Sequence, residues 1–327
     1  MNKQSPLQSP LQSPLPAPPL GECLNLPAYG SLSDNEALPQ RGSGEGALKG
    51  ALEGALRFLA ADLDGTLLTT SKTITPYTQR VLIEAQQQGL TIILASGRPL
   101  YSILPFAEQL ELQKHRGFII SFNGSLVWDC AKGKAINEQV IPLSIIHQLV
   151  AAIGSDFHIH GYKGNSIVIQ GKPDEKSLYI ARANKMPLLE TDNFIETITE
   201  PQHKCLVTGA PRKLWHLERR LQKQFEASFS ICRSESFLLE IMPKGIDKAD
   251  ALSQLLTQLN GKTDELLCCG DGFNDLGMMR LAGISCATRN AKRPVKQAAS
   301  FVTDSNDRDG VAHAVERFIS SAPAQRS

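Results

Sequence analysis

Leu90 to Ala95 is a continuous apolar run with no charged residue in it. A run of that kind suits a parallel strand covered on both faces. A helix is expected just before it. Thr75-Pro76 offers a cap followed by a first-turn proline, and Gly89 offers a stop after Gln88. Phe58 to Leu63 forms an earlier apolar run and Phe118 to Ser121 a later one, and Ile103, Phe106, Ala107 and Leu110 follow helical spacing between strands. Strand, helix, strand, helix, strand in that order predicts a parallel sheet with helices on both faces.

The alternation is interrupted. From 125 to 241 strand-like pieces come in pairs, Leu126–Trp128 with Ala135–Val140 and Phe157–His160 with Ser166–Gln170. Helical stretches are expected near Ser144–Ile153, Asp174–Asn184 and Arg212–Phe225. This reads as an α+β insert with an antiparallel sheet. After Lys248 the α/β pattern returns with a strand over Glu265–Cys269, another over Ile284–Ala287 and a closing helix over Val311–Ile319. Residues 1–55 are Pro-, Ser- and Gly-rich, with few aromatic or β-branched side chains to offset ordering entropy. The expected division is a disordered tail over 1–55, core over 56–124, cap-like insert over 125–241, and core again over 242–327.

The charge balance narrows the function. Among 327 residues, 34 Lys+Arg stand against 33 Asp+Glu, a formal charge of +1. A general nucleic-acid binder carries a strong basic excess, so none is expected. No apolar run reaches the roughly 18 residues of a membrane span, and the start of the chain does not resemble a secretory or mitochondrial signal. Seven cysteines without framework spacing read as free thiols in a reducing compartment, which places the chain in the cytoplasm.

Polar clusters fall where open α/β sheets bind ligands, at the carboxyl ends of strands. Asp62-Leu63-Asp64-Gly65-Thr66 follows the first strand, Ser96-Gly97-Arg98 the second, and Asp271-Gly272-Phe273-Asn274-Asp275 the strand ending at Cys268-Cys269. Asp62, Asp64, Asp271 and Asp275 gathered at one edge would repel one another and any anionic substrate. A divalent ion removes that conflict, and an all-oxygen donor set suits Mg²⁺. A carboxylate in such a site can attack phosphorus and form an aspartyl-phosphate. Lys248 would stabilise charge on the phosphoryl oxygens, and Ser96 with the amides around Gly97 would cradle them. Asp64, beside another carboxylate, is the expected general acid/base, holding its proton to higher pH.

These stretches, with Ser121-Phe122-Asn123-Gly124, Glu240-Ile241-Met242-Pro243-Lys244-Gly245-Ile246-Asp247-Lys248 and Asn306-Asp307-Arg308-Asp309-Gly310, resemble the haloacid dehalogenase-like hydrolase superfamily, specifically its Cof-type phosphatases with a large α+β cap. The resemblance covers about residues 56 to 320. It implies a Rossmann-like core and Mg²⁺-dependent hydrolysis of small phosphomonoesters of the sugar phosphate, flavin mononucleotide or pyridoxal phosphate type. In that pattern Asp62 is nucleophile and metal ligand. Asp64 is acid/base and offers its carbonyl to the metal. Asp271 binds the metal directly and Asp275 through water. Ser96, Gly97, Lys248, Asn274 and the Leu63 amide hold the phosphoryl group, with help from Arg98. One departure is that Ala249 and Asp250 stand after Lys248, where the family usually has glycine, so helix entry there is expected to differ slightly.

Other signals are weaker. His158 and His160 alternate on one strand face, a spacing that zinc sites use, but lack a third ligand. Gly261-Lys262-Thr263 resembles the end of a P-loop, but Leu256 stands where the leading glycine belongs. The expected partner is a small-molecule phosphate ester, with neither nucleic acid nor membrane. A phosphomutase-like phosphotransferase and a non-catalytic binder on the same fold are the alternatives.

Overall fold

The computed structural model describes residues 56–225 and 227–319. The expected tail over 1–55 lies outside the described residues. The first part of the chain runs β1 (Phe58–Ala61), α1 (Pro76–Gln87), β2 (Thr91–Ala95), α2 (Leu100–Gln109) and β3 (Phe118–Ser121). Helix α1 starts where the sequence places it. Thr75 is the N-cap and its side chain accepts from the Thr78 amide, while Pro76 needs no acceptor in the first turn.

A hairpin follows, β4 (Leu126–Asp129) and β5 (Lys134–Glu138). Both strands extend the first sheet, β4 pairing antiparallel with β3. This corrects the reading of 125–241 as one insert. The antiparallel pairing was legible, but a pairing pattern does not say which sheet it joins. The tight turn decides that: φ is +50° at Phe122, +58° at Asn123 and +111° at Gly124, which folds β4 straight back along β3.

The cap then comprises α3 (Leu143–Ile153), β6 (His158–Lys163), β7 (Ser166–Gln170), α4 (Glu175–Asn184), β8 (Leu188–Thr191), α5 (Phe194–Thr197), β9 (Cys205–Thr208), α6 (Pro211–Phe225), β10 (Phe229–Glu235) and β11 (Leu238–Pro243). Its six strands lie in the order β10-β11-β9-β6-β7-β8, and all pairs but β7–β8 are antiparallel. One face of this sheet is dry. Ile159, Val207, Ile231 and Leu239 pack against Ile146, Leu149, Leu214 and Leu217 from α3 and α6.

The chain returns to the first sheet through α7 (Lys248–Gln258), β12 (Leu266–Gly270), α8 (Leu276–Leu281), β13 (Ile284–Ala287), α9 (Arg293–Ala298), β14 (Phe301–Val302) and α10 (Gly310–Ile319). The eight strands stand in the order β14-β13-β12-β1-β2-β3-β4-β5, parallel from β14 through β3. Strand alternation divides the core in two. Leu59, Ala61, Ile92, Leu94 and Leu267 face Val81, Ile103 and Val315, whereas Phe58, Ala60, Ile93, Ala95 and Leu266 face Leu252, Leu255 and Met278. Both faces are covered, which is why the interior positions of these strands are mostly apolar.

The chain leaves β1 toward β2 and comes back to the other side of β1 as β12. Ala61 is in register with Leu94 on one side and Cys269 on the other. The two connections diverge there, opening a crevice at the carboxyl ends of β1 and β12, the place where open α/β sheets bind ligands. Among the described residues no helix is long and apolar enough to cross a membrane. Among the described residues Cys130, Cys205, Cys268, Cys269 and Cys286 are free and buried.

Candidate active site

Asp62 directly follows β1, and its backbone N–H donates to the Cys269 carbonyl at 3.0 Å. Its side chain is 8% exposed. Lys248, the first residue of α7, is fully buried beside it and donates from Nζ to Asp62 Oδ1 at 2.6 Å and to Asp275 Oδ1 at 2.9 Å. The helix entry is regular despite Ala249. Asp247 caps the helix by accepting from the Ala249 amide, and the Ala249 methyl faces Gly277, where a Cβ would be only 3.0 Å away.

Asp275 uses its other oxygen at home. Oδ2 accepts from the amides of Asp271 at 3.0 Å and Gly272 at 2.9 Å, which fixes the loop that carries Asp271. Thr66 Oγ1 donates to Asp271 Oδ1 at 3.0 Å from the opposite loop. One oxygen each from Asp62, Asp271 and Asp275 come within 4.8 Å of one another. Three carboxylates therefore crowd around one ammonium, which bonds two of them. Burial, reinforced by the Asp275 charge and opposed by Lys248, pushes the Asp62 carboxyl far above the ordinary carboxylate range. Burial and Asp275 also raise Asp271, to about 6. For Lys248, burial works against the charge, but Asp275 and Asp62 outweigh it and keep the ammonium protonated. The excess negative charge and the oxygen donors fit a small hard divalent cation.

Gly65 is held to the neighbouring loop, its carbonyl accepting from Asn290 Nδ2 at 2.7 Å and Thr288 Oγ1 at 3.2 Å. Its φ is +84°, and a Cβ there would stand 2.5 Å from Asp271 Oδ2. Gly65→Ala combines left-handed backbone strain with a clash on a site carboxylate. It is expected to lower kcat/KM for phosphate esters by at least about tenfold; steady-state kinetics on purified protein check this, and an unchanged value would remove the loop from the site.

Asp64 departs from expectation. Its carboxylate is gripped by Arg98, Nε at 2.5 Å and Nη2 at 2.7 Å, and by Lys72 Nζ at 2.6 Å. Burial favours its neutral form, but the hydrogen bonds and charges of Arg98 and Lys72 prevail and bring it down to about 2. The sequence argument was that a neighbouring carboxylate raises the pKa of Asp64. In the structure that effect falls on Asp62 and Asp271, because the nearest charges to Asp64 are cations.

The remaining predicted residues line the same cleft or its floor. Ser96 is buried after β2, and its Oγ accepts from the Arg98 amide at 3.2 Å. Among the described residues, the backbone N–H groups of Leu63 and Gly97 have no protein acceptor. Gly97 is required by closeness, since a Cβ would lie 2.9 Å from Asn123 Oδ1. Asn274 donates from Nδ2 to that same Asn123 oxygen at 3.3 Å. Asp62, Asp64, Ser96, Gly97, Asp271 and Asn274 all border one cleft of about 620 Å³ between core and cap, with Lys248 beneath it.

Sequence reasoning gave no role to Lys72, Thr66 or Asn123, nor to Lys204 and Glu240 on the cap. The Asn123-Gly124 turn, the Asp-Gly-Thr sequence and the stretch that opens at Glu240 were visible signals; Lys72 and Lys204 had none. His158 and His160 lie away from the cleft. His160 is fully buried and bonds Ser177 Oγ at 2.9 Å, burial lowers its pKa to about 4, and no metal-binding group among the described residues includes either histidine.

The architecture and sequence match known proteins. A family model for haloacid dehalogenase-like hydrolases aligns with residues 59–315. A haloacid dehalogenase-like hydrolase from Bacteroides thetaiotaomicron superposes with a TM-score of 0.78 at 38% identity, covering 80% of this chain and 99% of that one. The 5-amino-6-(5-phospho-D-ribitylamino)uracil phosphatase of Bacillus subtilis is 27% identical over 266 residues, 81% of this chain and 96% of the relative. The HMP-PP phosphatase of Serratia proteamaculans is 26% identical over 275 residues, 81% and 96%. With a doubly wound core, an α+β cap and carboxylates meeting at the β1–β12 crevice, the chain belongs to the haloacid dehalogenase-like hydrolases, in their Cof-type phosphatase branch.

Proposed function

We propose that this hydrolase cleaves small phosphomonoesters through an aspartyl-phosphate on Asp62, with Mg²⁺ as its cofactor. The observation that carries the reading is the pairing of Asp62 Oδ1 with Lys248 at 2.6 Å, which leaves Oδ2 without a donor among the described residues, in a cleft whose Leu63 and Gly97 amides suit a phosphoryl group. Asp62 and Asp271 would hold Mg²⁺ with the Asp64 carbonyl, and Asp275 would support them through its bond network. When bound, the ion supplies charge neutralisation that lets a dianionic ester approach this acidic crevice.

The steps assigned to the chain are these. The amides of Leu63 and Gly97, the Ser96 hydroxyl, the Asn274 amide and the Lys248 ammonium hold the phosphoryl oxygens, with Arg98 assisting. Asp62 Oδ2 attacks phosphorus, the ester P–O bond breaks, and the leaving alkoxide takes a proton from Asp64. A water then attacks the acyl phosphate while Asp64 recovers its proton. The P–O bond to Asp62 breaks, and inorganic phosphate leaves. For Asp64 to carry that proton it must loosen from Arg98 and Lys72. A phosphoryl dianion beside it does this, because it competes for both cations and its like charge raises the proton affinity of Asp64.

The functional division follows the sheets, with core over 56–140 and 244–319 and a cap over 141–243 that covers the cleft and excludes water. A cytoplasmic setting is supported by the five buried free thiols. The decisive measurement is inorganic phosphate release across a broad panel of phosphate esters with Mg²⁺ and with EDTA. Turnover with Mg²⁺, abolished by EDTA and restored by excess Mg²⁺, is the expected result. Undiminished turnover in EDTA would refute the metal assignment.

A further inference from the structure

The cap places one ion pair directly over the phosphoryl cradle. Lys204, just before β9, is 6% exposed. Its Nζ donates to the Gly97 carbonyl at 3.0 Å and to Glu240 Oε2 at 3.1 Å. Glu240 lies on β11, beside Leu206 of β9 in the sheet register, and its side chain is 14% exposed. Both residues border the cleft that holds Asp62, Asp64 and Ser96. Lys204 thus reaches across from cap to core and rests on the same loop whose Gly97 amide faces the cleft.

We propose that Lys204 and Glu240 form the pair that selects the leaving group, and that they select one bearing a hydroxyl close to the ester oxygen. This rests on the phosphomonoesterase reading and narrows it. A lysine ammonium has three donors, and two are used by Gly97 and Glu240. A carboxylate has two oxygens; Lys204 takes Glu240 Oε2, and Oε1 has no hydrogen-bond partner among the described residues. One donor and one acceptor therefore remain side by side at the cleft. A hydroxyl both donates and accepts, so one or two adjacent hydroxyls complete the set. A leaving group that is only apolar strands two desolvated polar groups, and that penalty is the strongest discrimination a binding site can make. Lys204, Arg233 and Arg98 on this cleft are each already paired, with Glu240, Glu218 and Asp64, so a second anionic group on the leaving group finds these three cations balanced, and Glu235 borders the cleft as well.

The test compares wild type, Lys204→Ala and Glu240→Gln on two esters with Mg²⁺. One is the hydroxylated sugar or polyol phosphate that wild type turns over fastest. The other is phenyl phosphate, whose leaving group has no hydroxyl. Expected is a fall in kcat/KM of about 10²-fold for the hydroxylated ester in each variant, with phenyl phosphate changed by less than about threefold. The loss should appear mainly in KM, and Lys204→Arg, which keeps donors at that place, should recover part of it. Equal losses on both esters would mean that Lys204 only braces the Gly97 loop, and would overturn the proposal. So would a wild type that hydrolyses phenyl phosphate as well as every hydroxylated ester, an outcome that leaves the phosphatase reading standing. Inactivity of wild type on both esters removes that reading, and the proposal with it.

Discussion

Asp62→Asn is expected to abolish turnover, with kcat down by at least about 10³-fold, while the protein still folds. An amide does not attack phosphorus, so no aspartyl-phosphate forms and only the binding groups remain. The fold survives because Asn keeps the shape and still accepts from Lys248. The substitution also removes one of three crowded carboxylates. Burial and Asp275 make the charged form of Asp62 unfavourable in the folded chain. A group whose folded pKa is raised favours folding only while protonated, so ionised Asp62 weakens the metal-free protein as pH rises. The melting temperature of metal-free Asp62→Asn should therefore equal or exceed that of wild type near pH 8. Phosphate release and thermal melts on the same preparation check both halves; near-wild-type turnover would falsify the nucleophile assignment.

Lys248→Met acts on rate and stability together. The ammonium is buried between Asp62 and Asp275, at 2.6 and 2.9 Å. Taking away the cation leaves two desolvated carboxylates facing each other, and breaking a buried pair in this way costs about 3–5 kcal/mol. In a domain of this size that corresponds to a fall in Tm on the order of 10 °C. The penalty has a sign in pH. Without Lys248 the folded pKa values of the carboxylates rise further above their unfolded values, so the deficit is smallest where they are protonated and grows as they ionise. The gap from wild type should thus be wider at about pH 9 than at about pH 5.5. Turnover should fall by about 10²-fold or more through loss of a donor to the phosphoryl oxygens. A melting curve that matches wild type across this range would show that the ammonium does not neutralise the crevice.

The core was legible in sequence because its determinants are local. A strand buried on both faces is apolar where it is buried, and Ile92–Ala95 is. Helix α1 announces itself by Thr75-Pro76 and Gly89. The site clusters were visible for a related reason: parallel strands put their following loops at one sheet edge, so Asp62, Ser96 and Asp271 had to approach one another once the strands were assigned. The family likeness added the roles. What failed depends on contacts between distant segments. The hairpin over 126–138 has the same pattern whichever sheet it joins, and only the turn at Phe122–Gly124 commits it to the core.

The sequence by itself determined the strands that end at the crevice, the gathering of carboxylates there, and the expectation of a cation and a lysine among them, because hydrophobic period and strand polarity act over a few residues. The tertiary structure alone decided in which direction each carboxyl is shifted and which cap residues border the cleft. Proton affinity follows the nearest charge in space, and Arg98 lies 34 residues from Asp64 in the chain yet 2.5 Å away in the fold. Lys204 lies 107 residues from Gly97 and bonds to its carbonyl. Coulomb and hydrogen-bond energies depend on distance through space, and no local pattern encodes that.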